Sequence, residues 1–457
     1  MQTTITDKVV QYCTELSFSK LPGHVVDRTK MIIFDEVCCA ILGRELASGD
    51  LIAKYVVSQG GSPEATVLGT SSKVPAALAA MANGTAGHAD EYDGTHVTDG
   101  HPGAAIVSAS LATAELHRST GAELISAVAL GYDISTRIVG ANGGGAGLRD
   151  AVHIQCCYLH CFGAAASSSY LMSLNSAGVR HALALSAGHA GGLAVIFAER
   201  RHMSKALTLG QPAYAGVFAA TLASIGFEGN WDIFDTDHNP LSLNPRKPAE
   251  QVFADLGVEH AVMGANFKFF SAGYPIHSPI EAALKIISEQ NVAVENINNV
   301  RVYMRPASAY VVSNRDIPTI SAQDMIALAM IHGHLDFDLA HRPGATDDPM
   351  VKALRDKIAV IGDPEIERIQ PGGRGSRVEI EDISGAVHDQ WIPFPRGHSM
   401  AGGPTWEELF SKWDHLMSKR MPANNYQELK SMALNLEKLE DVSDLIRTLT
   451  RGVVARQ

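Results

Sequence analysis

The sequence predicts a mainly α fold: a large all-helical domain built from both ends of the chain, with a smaller α+β domain inserted between. Three observations carry this. Long tracts rich in alanine and glycine, such as FGAAASSSYLMSL and HALALSAGHAGGLAVIF, fill residues 151–199; small residues let helices approach closely and form a large helical core. The character changes after about residue 265, where NINNVRVYMRP alternates apolar and polar positions as a strand does. Helical patterning returns over residues 405–449. The expected division is residues 1–266 plus 403–457 for the helical domain and 267–402 for the insertion.

Taken in order, residues 5–20 and 24–43 place Val26, Met31, Ile33, Val37 and Ile41 at helical spacing. The Gly60-Gly61-Ser62-Pro63 break is followed by a short ATVLG segment and a small-residue helix. A second helix starts at His101-Pro102, where proline suits the first turn. Residues 121–139 read as another buried helix. Gly140 to Gly147 reads as a glycine-rich loop without a GxGxxG or P-loop lysine pattern, so it is not assigned to phosphate binding. A basic opening, Arg200, Arg201, His202 and Lys205, precedes a further small-residue helix. In the insertion, a helix is expected at 321–333 and a hairpin with a Ser-Gly turn near 376–394.

Composition narrows the function classes. With 46% hydrophobic and 19% charged residues the chain is globular. A formal net charge of -12 argues against nucleic-acid binding and makes any site for an anionic substrate a local exception. The N-terminal stretch lacks the basic and apolar regions of a signal peptide. No run is expected to reach the roughly 20 apolar residues of a membrane span. The six cysteines form no CxxC pair and read as reduced, packed thiols. A cytoplasmic protein without membrane or nucleic-acid partners is the expectation.

The stretch NGTAGHADEYDGTHVTDGHPGAA, residues 83–105, concentrates the chemistry. It crowds His88, Asp90, Glu91, Asp93, Thr95, His96, Asp99 and His101 between apolar runs, where unpaired charges are costly to bury. It has three readings: a metal site, although the spacing matches no standard pattern; a solvated loop; or an acid/base and substrate-binding loop, in which a carboxylate orients a histidine that titrates near neutrality. Lys205 and Lys268 stand in sequence too apolar for a routine surface, and Lys268 precedes His277 in NFKFFSAGYPIH. A lysine there snorkels or meets an anion. His153 and His160 lie in HIQCCYLHCFG, each open to a core or a site reading; the adjacent Cys156, Cys157 and Cys161 favour packing.

These residues carry a resemblance over nearly the whole chain. Gly87-His88-Ala89, Glu91 to Thr95 and His101-Pro102 are similar to the GHA, DFDDT and HP elements of the MmgE/PrpD family. Lys205 ahead of Gly210, Lys268 with His277, Arg396-Gly397-His398 and Pro404-Thr405-Trp406 follow in the family's order. The resemblance implies a helical domain with an α+β lid, a homodimer, no cofactor and no metal. It implies catalytic roles for His101, His153, Lys205 and Lys268. Glu91, Asp93, Thr95, His277 and His160 would bind substrate. The chain departs from the pattern at Glu91 and Gly94, each in place of an aspartate, and at Gly273, in place of a cysteine. The segment from His153 to Phe162 is one residue longer than usual, which leaves His153 or His160 to fill the family's histidine position.

The implied activity is a lyase using proton chemistry next to a carboxylate of a small di- or tricarboxylate. The two lysines and His277 would stabilise an enolate-like intermediate. Dehydration of the 2-methylcitrate type is placed first. Decarboxylation of the cis-aconitate type and epimerisation or isomerisation are the alternatives, and a non-catalytic carboxylate-binding relative is the reading from another class.

Overall fold

The computed structural model describes residues 3–201 and 203–451, so His202 lies outside the described residues. The chain is mainly helical with small sheets, and it divides into two compact units. The first comprises residues 1–89, 93–265 and 406–457; the second comprises residues 90–92 and 266–405. The boundaries near 266 and 405 follow the change of sequence character. The three-residue piece Asp90–Tyr92 is a difference: the sequence reading assigned it to the helical domain.

The first unit is helical. Its long members are Gly23–Gly43, Pro102–His117, Gly121–Ala141 and Ser204–Ser224. Helix Gly121–Ala141 begins with a capping box, in which the Thr120 side chain accepts from Glu123 N and Glu123 returns the bond. By length and composition this helix is apolar enough to cross a membrane, which the sequence reading did not register; its apolar stretch is 89% buried in the unit, the signature of a core helix. Close packing depends on glycine at the crossings. A Cβ at Gly163, in helix His160–Leu171, would run into the Gly131 carbonyl of helix Gly121–Ala141. The C-terminal helix Trp406–Ser418 belongs to the same unit, where buried Lys412 Nζ and Trp413 Nε1 both donate to Asp35 Oδ1 at 2.7 and 2.8 Å.

The expected glycine loop at 140–147 is only partly a loop. Gly143 adopts a left-handed conformation (φ 82°) and caps helix Gly144–Val152, which takes in the remaining glycines. Their lack of side chains lets Gly145 N reach Thr98 O at 3.3 Å, so this segment packs on the polar stretch and cradles no phosphate-loop motif.

The second unit holds a four-stranded sheet: β1 (Ile297–Met304), β2 (Ile358–Gly362), β3 (Ser376–Asp382) and β4 (Val387–Ile392), in the spatial order β2-β1-β3-β4. β1 and β2 are parallel, with Val300 opposite Ile358; the other pairs are antiparallel. Alternate β1 residues Val300, Val302 and Met304 are buried, as period-two patterning requires. They pack with Ile280 and Ala283 of helix His277–Glu289 and with Met325 and Leu328 of helix Ala322–His332. The β3–β4 hairpin turns at Gly385, whose φ of 86° suits glycine.

Candidate functional site

In the helical unit, the end of helix Ala76–Gly87 and the start of helix Pro102–His117 bring two histidines onto one carboxylate. His88 follows the first helix and His101 precedes the second. His88 Nδ1 lies 2.9 Å from Asp93 Oδ1, and His101 Nδ1 lies 3.0 Å from Asp93 Oδ2. The imidazole N–H groups donate and the carboxylate accepts; His101 Nδ1 is also 3.1 Å from Gly94 O. The two rings are 4.1 Å apart between centroids. Asp93 and His88 are fully buried, whereas the His101 side chain keeps 11% exposure, so His101 is the member that reaches solvent.

Electrostatics follow from this geometry. Burial alone would push the Asp93 carboxyl up, but His101 and then His88 outweigh it and hold Asp93 well below the usual carboxylate range. Burial holds His88 well below the usual imidazole range; Asp93 opposes that, while His101 and Lys205 add to it. Lys205 is half-buried in the first turn of helix Ser204–Ser224, and its backbone N donates to Glu199 Oε1 at 3.1 Å. Thr95 is buried in the short strand Thr95–His96. The stretch is pinned by His96, whose Nδ1 pairs with Thr98 Oγ1 and whose Nε2 donates to Ala261 O, both at 2.8 Å. Burial holds His96 down to about 4.

His153 and His160 part company. His153 is exposed, with a left-handed φ of 60°, at the end of helix Gly144–Val152. His160 is fully buried: its Nδ1 is 3.3 Å from Ser135 Oγ, and a Cβ at Gly100 would lie 2.8 Å from its Nε2. His160 thus packs directly under the residue preceding His101. Burial holds it down to about 3, with His96 and His101 adding to the effect. The cysteines are packed thiols, all six buried, and burial pushes Cys161 up to about 12.

In the second unit, Lys268 is fully buried and donates through Nζ to Glu91 Oε2 at 2.7 Å and to Glu91 O at 2.9 Å. Glu91 takes a left-handed backbone (φ 55°), a conformation of limited steric tolerance. Ser271 Oγ donates to Asp90 O at 3.0 Å and so helps to hold the Asp90–Tyr92 piece. His277 opens helix His277–Glu289 with its Nε2 3.2 Å from Ala272 O and its ring against Phe270 and Tyr274. The structure thus gathers Asp93, Thr95, His101, Lys205, His153 and His160 in the helical unit, and Glu91, Lys268 and His277 in the other.

Two family models match this chain, the MmgE/PrpD N-terminal domain over residues 7–242 and the MmgE/PrpD C-terminal domain over residues 270–438. The chain belongs to the MmgE/PrpD family. Among curated members, it is 25% identical to the cis-aconitate decarboxylase-like protein oryM of Aspergillus oryzae over 98% of this chain and 97% of that one. It is 24% identical to cis-aconitate decarboxylase of Aspergillus terreus, covering 97% of this chain and 96% of the relative. It is 28% identical to cis-aconitate decarboxylase of Homo sapiens, covering 99% and 95%.

Within this MmgE/PrpD chain the sequence marks His88 by its GHA element but assigns it no site role. Only the folded loop shows that it shares Asp93 with His101. His88, Asp93 and His101 also offer donor atoms within 4.8 Å of one another, a set that could hold a metal ion. Their separations of 2.9 and 3.0 Å are those of charge-assisted hydrogen bonds to one carboxylate.

Proposed function

We propose that this chain is a cofactor-independent lyase that moves protons next to a carboxylate of a small di- or tricarboxylate, with decarboxylation of the cis-aconitate type as its first reading. The observation that carries the acid–base role is the Asp93–His101 pair. With Nδ1–H committed to a buried carboxylate, His101 has one ring nitrogen, Nε2, left to give or take a proton, and Asp93 stabilises the imidazolium that forms. His88 Nδ1 lies 2.9 and 3.0 Å from the two oxygens of the same carboxylate and fixes the orientation of Asp93. In a decarboxylation, the C–C bond to the leaving carboxylate breaks, CO2 departs with no change of redox state, and the electron pair left on carbon is protonated by His101. Lys205, in the same unit as His101, supplies a cationic group that the family resemblance associates with a substrate carboxylate.

The relatives favour this order over the dehydration placed first by the sequence, because those compared are named for cis-aconitate decarboxylation. Dehydration of the 2-methylcitrate type stays the second reading, since the same acid–base pair would remove a proton and then protonate a leaving hydroxide. The test is proton NMR of the enzyme in D2O with cis-aconitate, 2-methylcitrate and amino- or imino-dicarboxylates. Release of CO2 with one deuteron incorporated into the product supports the first reading. Loss of water supports the second. Exchange with inversion alone makes the chain an epimerase, and no exchange or turnover with any of them defeats the lyase assignment.

A further inference from the structure

A second carboxylate–histidine constellation in the helical unit takes no part in this chemistry. Asp133, fully buried in helix Gly121–Ala141, accepts from Tyr12 OH and from Ala261 N, each at 2.6 Å, and its Oδ2 is 3.2 Å from His260 Nδ1. The three partners come from both ends of the unit's sequence. They fix Tyr12 and His260 as lining residues of a cavity of about 350 Å³ beside helix Ile5–Glu15. That volume is at the lower end of small-molecule sites.

The lining has two characters. Leu16, Phe253 and Leu256 give it apolar surface, while Lys8 and Lys20 supply two cations against the single carboxylate of Glu15. Glu15 is already engaged, since its Oε1 accepts from Gln11 Nε2 at 2.9 Å and its backbone O from Lys20 Nζ at 2.7 Å. Behind the lining the Asp133 carboxylate faces Tyr12 and His260, so the two lysines stand at the outer side of the cavity and the second carboxylate at its inner side. His260 is only 7% exposed, and its Nε2 is buried with no hydrogen-bond partner among the described residues. A buried polar atom left unsatisfied is costly to the fold.

We propose that this cavity is a second ligand site, and that it takes a small organic acid: a carboxylate head at His260 and Lys8, and a short apolar body on Leu16, Phe253 and Leu256. The turn that carries His260 also holds the acid–base loop, because Ala261 O accepts from His96 Nε2 and Gly264 O accepts from Val97 N at 3.1 Å. The occupant therefore sits on a turn that fixes the position of the Thr95–His101 stretch.

The test uses the full chain with its histidine ring carbons labelled by ¹³C, titrated with sodium hexanoate. The His260 signal is identified by its loss in His260→Gln. Saturable movement of that signal is expected with a Kd of about 1 mM or tighter. Leu256→Trp, which fills the cavity, and Lys8→Glu, at an exposed position, are each expected to weaken binding by at least about tenfold. Lys8→Glu keeps the test decisive if Leu256→Trp fails to fold. Hexanol, which lacks the anionic head, is expected to leave the signal in place. A His260 signal that stays fixed up to about 50 mM hexanoate overturns the site. So does binding that survives both substitutions, and an equal response to hexanol overturns the ligand class.

Discussion

Glu91 and Asp93 stand two residues apart in the sequence, both fully shielded from solvent, yet they keep different company. Glu91 pairs with Lys268 in the second unit, an ammonium group 2.7 Å from its carboxylate. Asp93 pairs with His88 and His101 in the helical unit, two imidazoles, each a group that can carry or release a proton. A carboxylate beside an ammonium group holds a charge in place. A carboxylate shared by two imidazoles controls where a proton resides. The difference separates a binding or anchoring pair from an acid–base pair, although both are buried ion pairs with contacts of 2.7–3.0 Å.

The largest expected effect comes from removing the charge that defines the Asp93 group. Asp93→Asn keeps the side-chain size but takes away the anion that stabilises a protonated His101. Turnover of the substrate identified by NMR is expected to fall by about 10²–10⁴-fold, the usual worth of acid–base assistance, while the circular dichroism spectrum is retained. A rate within about tenfold of the wild type would return His101 to a merely structural role.

The Glu91–Lys268 pair is expected to answer in stability first. Lys268→Met removes the cation from a buried carboxylate, and Glu91→Gln does the reverse; each is expected to cost about 3–5 kcal/mol in denaturant unfolding. The double variant is expected to cost clearly less than the sum, because neither charge is then left without the other. Strict additivity would mean that the 2.7 Å contact contributes no coupling and would break the contrast drawn with Asp93.

Much of this architecture was legible because it is local. The helices follow from small-apolar tracts, and β1 follows from alternation that the burial of Val300, Val302 and Met304 repeats. The His101 start was marked by Pro102, and the hairpin by the Ser-Gly pair at its turn. What was not legible depends on closure of the chain. Asp90–Tyr92 joins the second unit through Lys268 and Ser271, far along the sequence, and no feature of three residues announces that. His101 carries a catalytic expectation in the sequence and His88 none; Asp93, shared by both in the fold, ties them together. Tyr12, Asp133 and His260 converge from three distant segments, each unremarkable alone. Glycine was misread at 144–147 because a helix interior tolerates it when a neighbouring backbone, here Thr98, must come close.

The smallest effect sharpens the comparison by pH. His160 is buried and held down to about 3, so the folded chain binds its proton less readily than the unfolded chain, in which a histidine titrates near 6.5. Its contribution to stability is therefore full above about pH 6.5 and is lost as pH falls toward about 3, by at most about 1.4 kcal/mol per pH unit. Asp93 works in another window. Its folded value is depressed, so its contribution is full above the unfolded value of about 3.9 and is lost only as pH falls below that. Denaturant unfolding measured from pH 7 to pH 3 should accordingly show His160→Gln flattening the slope between about pH 6 and pH 4, whereas Asp93→Asn flattens the curve below about pH 4 and, by removing the charge that opposes the lowering of His88, also changes the slope above it. Identical slopes for wild type and His160→Gln above pH 4 would mean that a proton enters the buried imidazole at no cost to the fold, and that packing under Gly100 does not hold it neutral.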